Sequence, residues 1–304
     1  MSTRRAFLLA PVGFLQRQAV RLLDAKGESV SFLYGDQPLF DYRYSPARPK
    51  TYVHPLYAPN GLPLTLDGTA DHIHHRGLML AWTNVNGYDF WGETDPGVKG
   101  RIVHQSFEKF GEAELVAINH WIGAGETLLL ERRSLQARAP TREFLRLEWE
   151  SELRTAGRPV KLQADHADRP VKAEYNGLGM RFVYSMNRGS ALNSNGTAGT
   201  AKVNGERARW CAFHGPLEVG SFGGAAIFDH PNNPRHPTPF YAAAGKTFSY
   251  LSAAPTWHES FRIEAGAPLR LRYAVITFTG EASPEMLERL YRDWTATRGG
   301  KAGN

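Results

Sequence analysis

The run Glu143-Phe144-Leu145-Arg146-Leu147-Glu148-Trp149-Glu150-Ser151-Glu152-Leu153 sets charged residues against apolar ones at a period close to two. A β-strand with one face on a core and the other in water needs that alternation, whereas a helix does not produce it. Comparable runs recur between clusters of Gly, Pro and Asn. They include Ser29 to Tyr34, Ile102 to Phe110, Ala113 to Trp121 and Thr127 to Leu135. The second half adds Gly179 to Met186, Ala208 to Phe213, Gly223 to Asp229, Thr247 to Leu251 and Leu269 to Thr279. Many short strands at this spacing predict an all-β fold, a large antiparallel β-sandwich. One segment breaks the pattern. From Pro284 to Thr297 the residues Met286, Leu287, Leu290, Tyr291 and Trp294 make a helical stripe, with Ser283 as N-cap and Pro284 at the first helical position. A C-terminal helix packed across the sandwich is therefore expected.

The 304 residues show no internal repeat and no low-complexity linker, so a single β-sandwich domain is expected over residues 19–298. Residues 1–18 read as a twin-arginine-type signal segment, because Arg4-Arg5 precedes the apolar run from Ala6 to Leu15. That start predicts a periplasmic or extracellular location, with the cytoplasm as the alternative if the stretch is instead a ragged terminus and first strand. The apolar run is too short to span a bilayer, and no transmembrane segment is expected elsewhere. Residues 299–304 should form a disordered tail. The formal charge of +6 is scattered rather than gathered into a stripe, which argues against a nucleic-acid partner. The single Cys211 excludes an intrachain disulfide and a cysteine-based metal cluster. Oligomeric state leaves no mark in the sequence.

The stretch His54 to Glu93 holds four histidines, Arg76, three aspartates and two tryptophans. Three of the histidines fall in Asp71-His72-Ile73-His74-His75-Arg76, just ahead of the strand-like run Leu78 to Trp82. In an extended segment His72 and His74 share a face and His75 points away. That pair could begin a divalent metal site, with His54 or a distant carboxylate completing it. Alternatively, His74 or His75 serves as general acid or base while Arg76 holds an oxyanion or carboxylate. A third reading makes these side chains partners for backbone groups in an irregular loop. Asp89-Phe90-Trp91-Gly92-Glu93 sets an acid beside aromatic rings, a combination suited to stacking and hydrogen-bonding a sugar. Glu174 to Arg181 places a carboxylate and an arginine around two glycines, and Glu174 paired with another carboxylate could do acid and base work.

A second dense patch follows His214-Gly215-Pro216. It is Asp229 to Tyr241, reading DHPNNPRHPTPFY. Its prolines exclude a sheet interior and predict a rigid loop presenting His230, Asn233, Arg235 and His236 in fixed directions. No G-x-S-x-G elbow, G-x-G-x-x-G fingerprint or phosphate loop occurs in the chain.

In combination, HPLYAPNG, ADHIHHRGLMLAW, VNGYDFWGE, DHPNNPRHPTPFY and LRLRYAVITFTG resemble the bacterial PmoA-like family over about Phe40 to Gly280. The family's label, methane oxygenase, implies a metal-dependent oxidoreductase. The resemblance also implies a sandwich similar to the galactose-mutarotase type, with saccharide bound across a concave sheet. The chain departs from the family pattern at Leu251 to His258, where Ala253 stands in place of an asparagine-proline pair.

The leading expectation is a carbohydrate-active enzyme working by hydrolysis, elimination or epimerisation. Its catalytic set is His74, His75, Arg76 and His214, and its binding set is His54, Trp91, Glu93, Glu174, His230, Asn233, Arg235 and His236. The alternatives are a non-catalytic carbohydrate-binding protein and the oxidoreductase of the family label. A site of the leading kind requires the His54 to Glu93 segment and the Asp229 to Tyr241 loop to meet in space.

Overall fold

Alternation along the chain becomes two faces. In the strand Phe144–Thr155, Leu145, Leu147, Trp149, Ser151 and Leu153 are buried, while Arg146, Glu148, Glu150 and Glu152 turn outward. The outward charges pair across strands, Glu152 with Arg270 and Glu150 with Arg272. The computed structural model describes residues 19–93, 97–218 and 220–296. The expected signal segment and terminal tail lie outside the described residues.

Two eight-stranded antiparallel sheets carry the fold. The first runs, edge to edge, Val20–Ala25, Ser29–Tyr34, Gln37–Arg43, Tyr52–Leu56, Leu78–Ala81, Gly177–Arg181, Ser249–Ala253 and Phe240–Ala244. The second runs Ser190–Asn193, Trp210–Pro216, Phe222–Asp229, Leu269–Thr279, Phe144–Thr155, Glu126–Ala137, Glu114–Gly123 and Gly100–Gly111. Their facing sides form one core, joining Leu78, Leu80, Met180 and Leu251 of the first sheet to Leu147, Trp149, Ile227 and Val275 of the second. This is the large antiparallel β-sandwich that the alternation predicts. One expected strand ends early: Gly179 to Met186 leaves the sheet after Arg181, and Tyr184–Arg188 forms a 3-10 turn. There Val183 donates to Leu64 O instead of continuing the sheet.

The expected helix is present as Pro284–Ala296. Ser283 Oγ accepts the Met286 N–H at 3.2 Å, satisfying a first-turn donor. Leu287, Leu290, Tyr291 and Trp294 bury against Trp210, Phe228, Ile276 and Phe278, which closes the outer face of the second sheet. Among the described residues no helix is long and apolar enough to cross a membrane.

Inside the sandwich core Arg133 and Glu131 form a fully buried ion pair. Arg133 donates to both Glu131 oxygens at 2.9 and 2.8 Å, and both side chains are shielded from solvent. Trp121 Nε1 and Ser151 Oγ donate to the same carboxylate at 2.9 and 2.6 Å. From the second sheet Arg133 reaches Thr51 O and Thr51 Oγ1, beside the start of the strand Tyr52–Leu56 in the first. Each member is satisfied, so the network ties the sheets together with little unpaired charge. Glu131→Leu would leave Arg133 buried and unpaired, and we expect a loss of about 3–5 kcal/mol in urea unfolding. Adding Arg133→Met should restore a large part of it. Equal stability of Glu131→Leu and the parent protein would refute the role.

Candidate functional site

The first sheet has a second, outward face, built from the residues that alternate with its core positions. Met79 and Ala81 point there from one strand, Gly179 and Arg181 from the next, Tyr250 and Ser252 from the third and Tyr241 from the edge. Over this face lies a two-stranded hairpin, Asp67–Thr69 with His72–Arg76. Gly77 joins that hairpin to the strand Leu78–Ala81 at φ +55°, and a Cβ there would strike Val53 O and His54 Cβ. Glycine is thus what lets the histidine strand peel away from the sheet. Asp89 shapes the other side, accepting the N–H groups of Trp91 and Gly92 at 2.8 Å each. That turn carries the Trp91 ring onto the sheet and brings Glu93 under the hairpin.

Glu93 is the junction of a buried chain of charges. Arg76 donates to it from Nε and from Nη2, the latter at 2.6 Å, and Lys50 Nζ lies 2.9 Å from Oε1. Arg76 Nη1 continues to Asp67 at 3.2 Å, and Asp67 accepts the Tyr52 hydroxyl at 2.8 Å. Burial alone would raise the Glu93 carboxyl, but the ammonium and guanidinium beside it hold it below the usual range. Burial pulls the Lys50 ammonium down, and Glu93 opposes that shift.

A second ion pair flanks the histidines. Arg181, shielded from solvent, donates from Nη2 to Asp71 at 2.7 Å and from Nη1 to His75 Nδ1 at 3.2 Å. A guanidinium can only donate, so His75 Nδ1 accepts and the proton of the neutral ring sits on Nε2. Burial, with the neighbouring His74, His72 and Arg181, pushes the His75 imidazole down to about 2. Burial and Lys50 likewise push His74 down to about 4. His72 lies on the rim, its side chain 28% exposed and its Nδ1 2.9 Å from Asp71 Oδ2. Burial works to raise Asp71, but hydrogen bonds that include those to His72, Arg181 and Tyr184 keep its carboxyl well below the usual range.

Beneath the histidines is an aromatic floor. His75 lies 4.9 Å from the Tyr250 ring and 6.3 Å from Trp91, and Trp91 packs at 4.8 Å on Tyr175. Tyr241 extends the floor beside Tyr175 and Tyr250, while Phe248 closes it against His72 at 4.6 Å.

His74, His75, Arg76, Trp91 and Glu93 are thus assembled in one place, although two of the expected roles change. Glu93 and Arg76 are spent on each other. His75 does not point away from its neighbours: its ring stacks on His72 at 4.6 Å, and His74 sits 4.7 Å from it. The cause is the irregular register between the two hairpin strands, which spoils the strict alternation of an ideal pleat. The expected metal pair, His72 and His74, meets at 5.7 Å between ring centroids, and His72 commits a nitrogen to Asp71. Among the described residues no group of three or more His, Cys, Asp or Glu side chains is set to hold a metal ion. His54 borders a neighbouring cavity of about 220 Å³ with Tyr52 and Asp67, and its Nδ1 lies 3.0 Å from Thr65 Oγ1. Glu174 stands near Tyr241, whose phenol it helps burial to raise.

The second patch does not join the first. His230 packs edge-on against Trp294 of the C-terminal helix at 5.0 Å. Asn233 donates to Asp229 and to Arg272 O at 2.7 Å each, and His236 Nδ1 lies 2.7 Å from Asp229. Arg235 donates to Glu259 O and Ser260 O and covers the Phe261 ring. These contacts fasten the loop to itself, to the second sheet and to the segment Glu259 to Phe261, and none reaches the histidine hairpin. His214 belongs to that side too, since it alternates with the core residues Cys211 and Phe213 and packs on Phe222 at 5.7 Å. The polar groups that looked presented for a ligand instead satisfy backbone where prolines cannot. From this stretch Tyr241 is what reaches the floor.

Lys50, Tyr52, Asp67, Arg181, Tyr175, Phe248 and Tyr250 complete the face and were not among the expected site residues. Period-two spacing held a signal for two of them. Phe248 and Tyr250 share one side of the expected strand Thr247 to Leu251.

Residues 29–292 match the model of a family of unknown function, DUF6807. The chain belongs to that family. No curated protein matches it. Among solved structures the chain is similar to the GalM/aldose epimerase homologue from C. elegans, at 8% identity and a TM-score of 0.36. The likeness covers 88% of this chain and 100% of that one.

The depressed His75 value makes stability depend on pH. The unfolded imidazole binds a proton below about 6.5, while the folded one stays neutral down to about 2. The unfolded state therefore binds more protons in that window, so stability is full above it and drains away as pH falls. In His75→Gln the loss of unfolding free energy between pH 7 and pH 5 should shrink by about 2 kcal/mol. Urea titrations at the two pH values measure it, and an unchanged slope would show that His75 is not held neutral.

Proposed function

We propose that the outward face of the first sheet binds a saccharide and moves a proton on it, making this protein a carbohydrate-active enzyme of the epimerase or lyase kind. The observation that carries the reading is the Asp71–His72 pair at the rim of the aromatic floor. With Asp71 kept anionic, the His72 proton is drawn to Nδ1, and Nε2 keeps a lone pair. A part-exposed imidazole oriented by a carboxylate is suited to general base work. The rings of Tyr175, Tyr241 and Phe248 offer apolar faces to a sugar ring. His75, neutral with its proton on Nε2, adds a hydrogen-bond donor behind the base.

Hydrolysis by two carboxylates has less behind it, because Glu93 is locked between Lys50 and Arg76. His74, depressed to about 4, is neutral at pH 7 and serves as a packing neighbour of His72 and His75. The likeness to PmoA-like proteins rests on sequence motifs alone. Export of the chain is likewise a proposal, resting on Arg4-Arg5 and the apolar run behind them.

Incubation with a panel of aldoses, ketoses and uronic acids in D2O, followed by NMR, tests the assignment. The parent protein should place deuterium at the carbon next to a carbonyl. His72→Gln should slow that exchange by about 100-fold or more at unchanged thermal stability. Saccharide binding without exchange would move the protein to a non-catalytic carbohydrate-binding role, and equal exchange by His72→Gln would remove the base.

A further inference from the structure

Three buried donors on this face have no acceptor among the described residues: the indole N–H of Trp91, the hydroxyl of Tyr250 and the Nε–H of Arg181. Their side chains are buried, with Trp91, Tyr250 and Arg181 at 2%, 1% and 0% exposure. Buried polar groups without partners are uncommon, because each has given up water for nothing. All three border the same imidazole. The Tyr250 ring lies 4.9 Å from His75, the Trp91 ring lies 6.3 Å away, and Arg181 Nη1 is 3.2 Å from His75 Nδ1. Arg181 and Tyr250 are also direct partners across their strands. Gly179 makes the arrangement fit, since a Cβ there would strike the Tyr250 hydroxyl and its ring.

The cations around these donors are all matched by carboxylates. Lys50, Arg76 and Arg181 face Glu93, Asp67 and Asp71, each cation bonded to at least one of the carboxylates. The patch therefore offers hydrogen bonds without net positive charge. A phosphate or sulfate would arrive with negative charge that nothing balances, whereas a carbonyl oxygen brings lone pairs and no charge. Trp91 and Tyr250 also keep their protons: an indole N–H does not ionise at working pH, and burial holds the Tyr250 phenol well above its ordinary value.

We propose that Trp91 Nε1–H, Tyr250 O–H and Arg181 Nε–H form an oxyanion hole for the carbonyl oxygen of an open-chain or keto sugar. This rests on the reading of His72 as base and names the substrate class for the same face. His72 takes the hydrogen on the carbon beside the carbonyl as a proton. The C–H electron pair becomes a C=C bond while the carbonyl π pair moves onto oxygen, where the three donors hold the new charge. Return of a proton to either side of that carbon restores the carbonyl as the starting sugar or its epimer. No oxidant, reductant or second substrate is consumed.

Trp91→Phe and Tyr250→Phe each delete a donor and keep a ring. Binding of five- and six-carbon glyconohydroxamates, planar mimics of the enediolate, is measured by calorimetry alongside thermal unfolding and deuterium exchange. Each variant should bind the hydroxamate about 100-fold more weakly and lose about 100-fold in kcat with KM nearly unchanged. Unfolding temperature should hold or rise by about 2 °C, because the deleted atom had no partner. A parent protein that binds no hydroxamate, variants that bind it as tightly as the parent, or variants that unfold at clearly lower temperature would each overturn the oxyanion hole. The two readings fail separately. Hydroxamate binding lost in both variants while His72→Gln still exchanges keeps the hole and removes the base. Exchange lost in His72→Gln while both variants bind normally keeps the base and removes the hole.

Discussion

Glu93 accepts from Lys50 and Arg76 at once, and the candidate site is arranged around that buried contact. Lys50 precedes the strand Tyr52–Leu56, Arg76 ends the histidine strand and Glu93 follows the Trp91 turn, so one carboxylate fastens three separate segments together. Asp67 extends the bond to the hairpin's other strand and to Tyr52. An isolated charge could not be sealed at this depth, but two cations and two anions in register can be. The hairpin is thereby held flat over the sheet, with its imidazoles on the aromatic floor.

The core network of Arg133, Glu131 and Thr51 supports this from below. It enters the first sheet at Thr51, between Lys50 and Tyr52, so the two buried charge systems meet through adjacent residues of one chain segment. Ionic contacts inside a sandwich contribute little net stability, and their effect is to define which residues face each other. Here they fix the strand that delivers both Lys50 and Tyr52 to the face.

Strands with one wet side were legible in the sequence, because alternation is a local property; Phe144–Thr155 and Leu269–Thr279 show it plainly. The C-terminal helix was legible for the same reason. Half of the site was legible too, since the histidine run and the Trp91 turn are dense in reactive side chains. The other half was misplaced. A proline loop with His230, Asn233 and His236 reads like a second wall, yet its polar groups are consumed by Asp229 and Arg272. Density of polar residues does not separate groups that face a ligand from groups that replace backbone partners. The residues that do meet His75, Arg181 and Tyr250 with Phe248 just ahead of the strand Ser249–Ala253, come from segments far apart in sequence, and their meeting depends on a strand register that no local pattern encodes.

On this reading ligand meets the histidine hairpin on the first sheet and leaves the proline loop on the second untouched. Imidazole NMR of 15N-histidine-labelled protein, titrated with the sugar that gives the fastest exchange, measures this directly. We expect the His72, His74 and His75 signals to shift in a saturable way while those of His214, His230 and His236 stay in place. Saturable shifts at His230 and His236 with a still hairpin would contradict it.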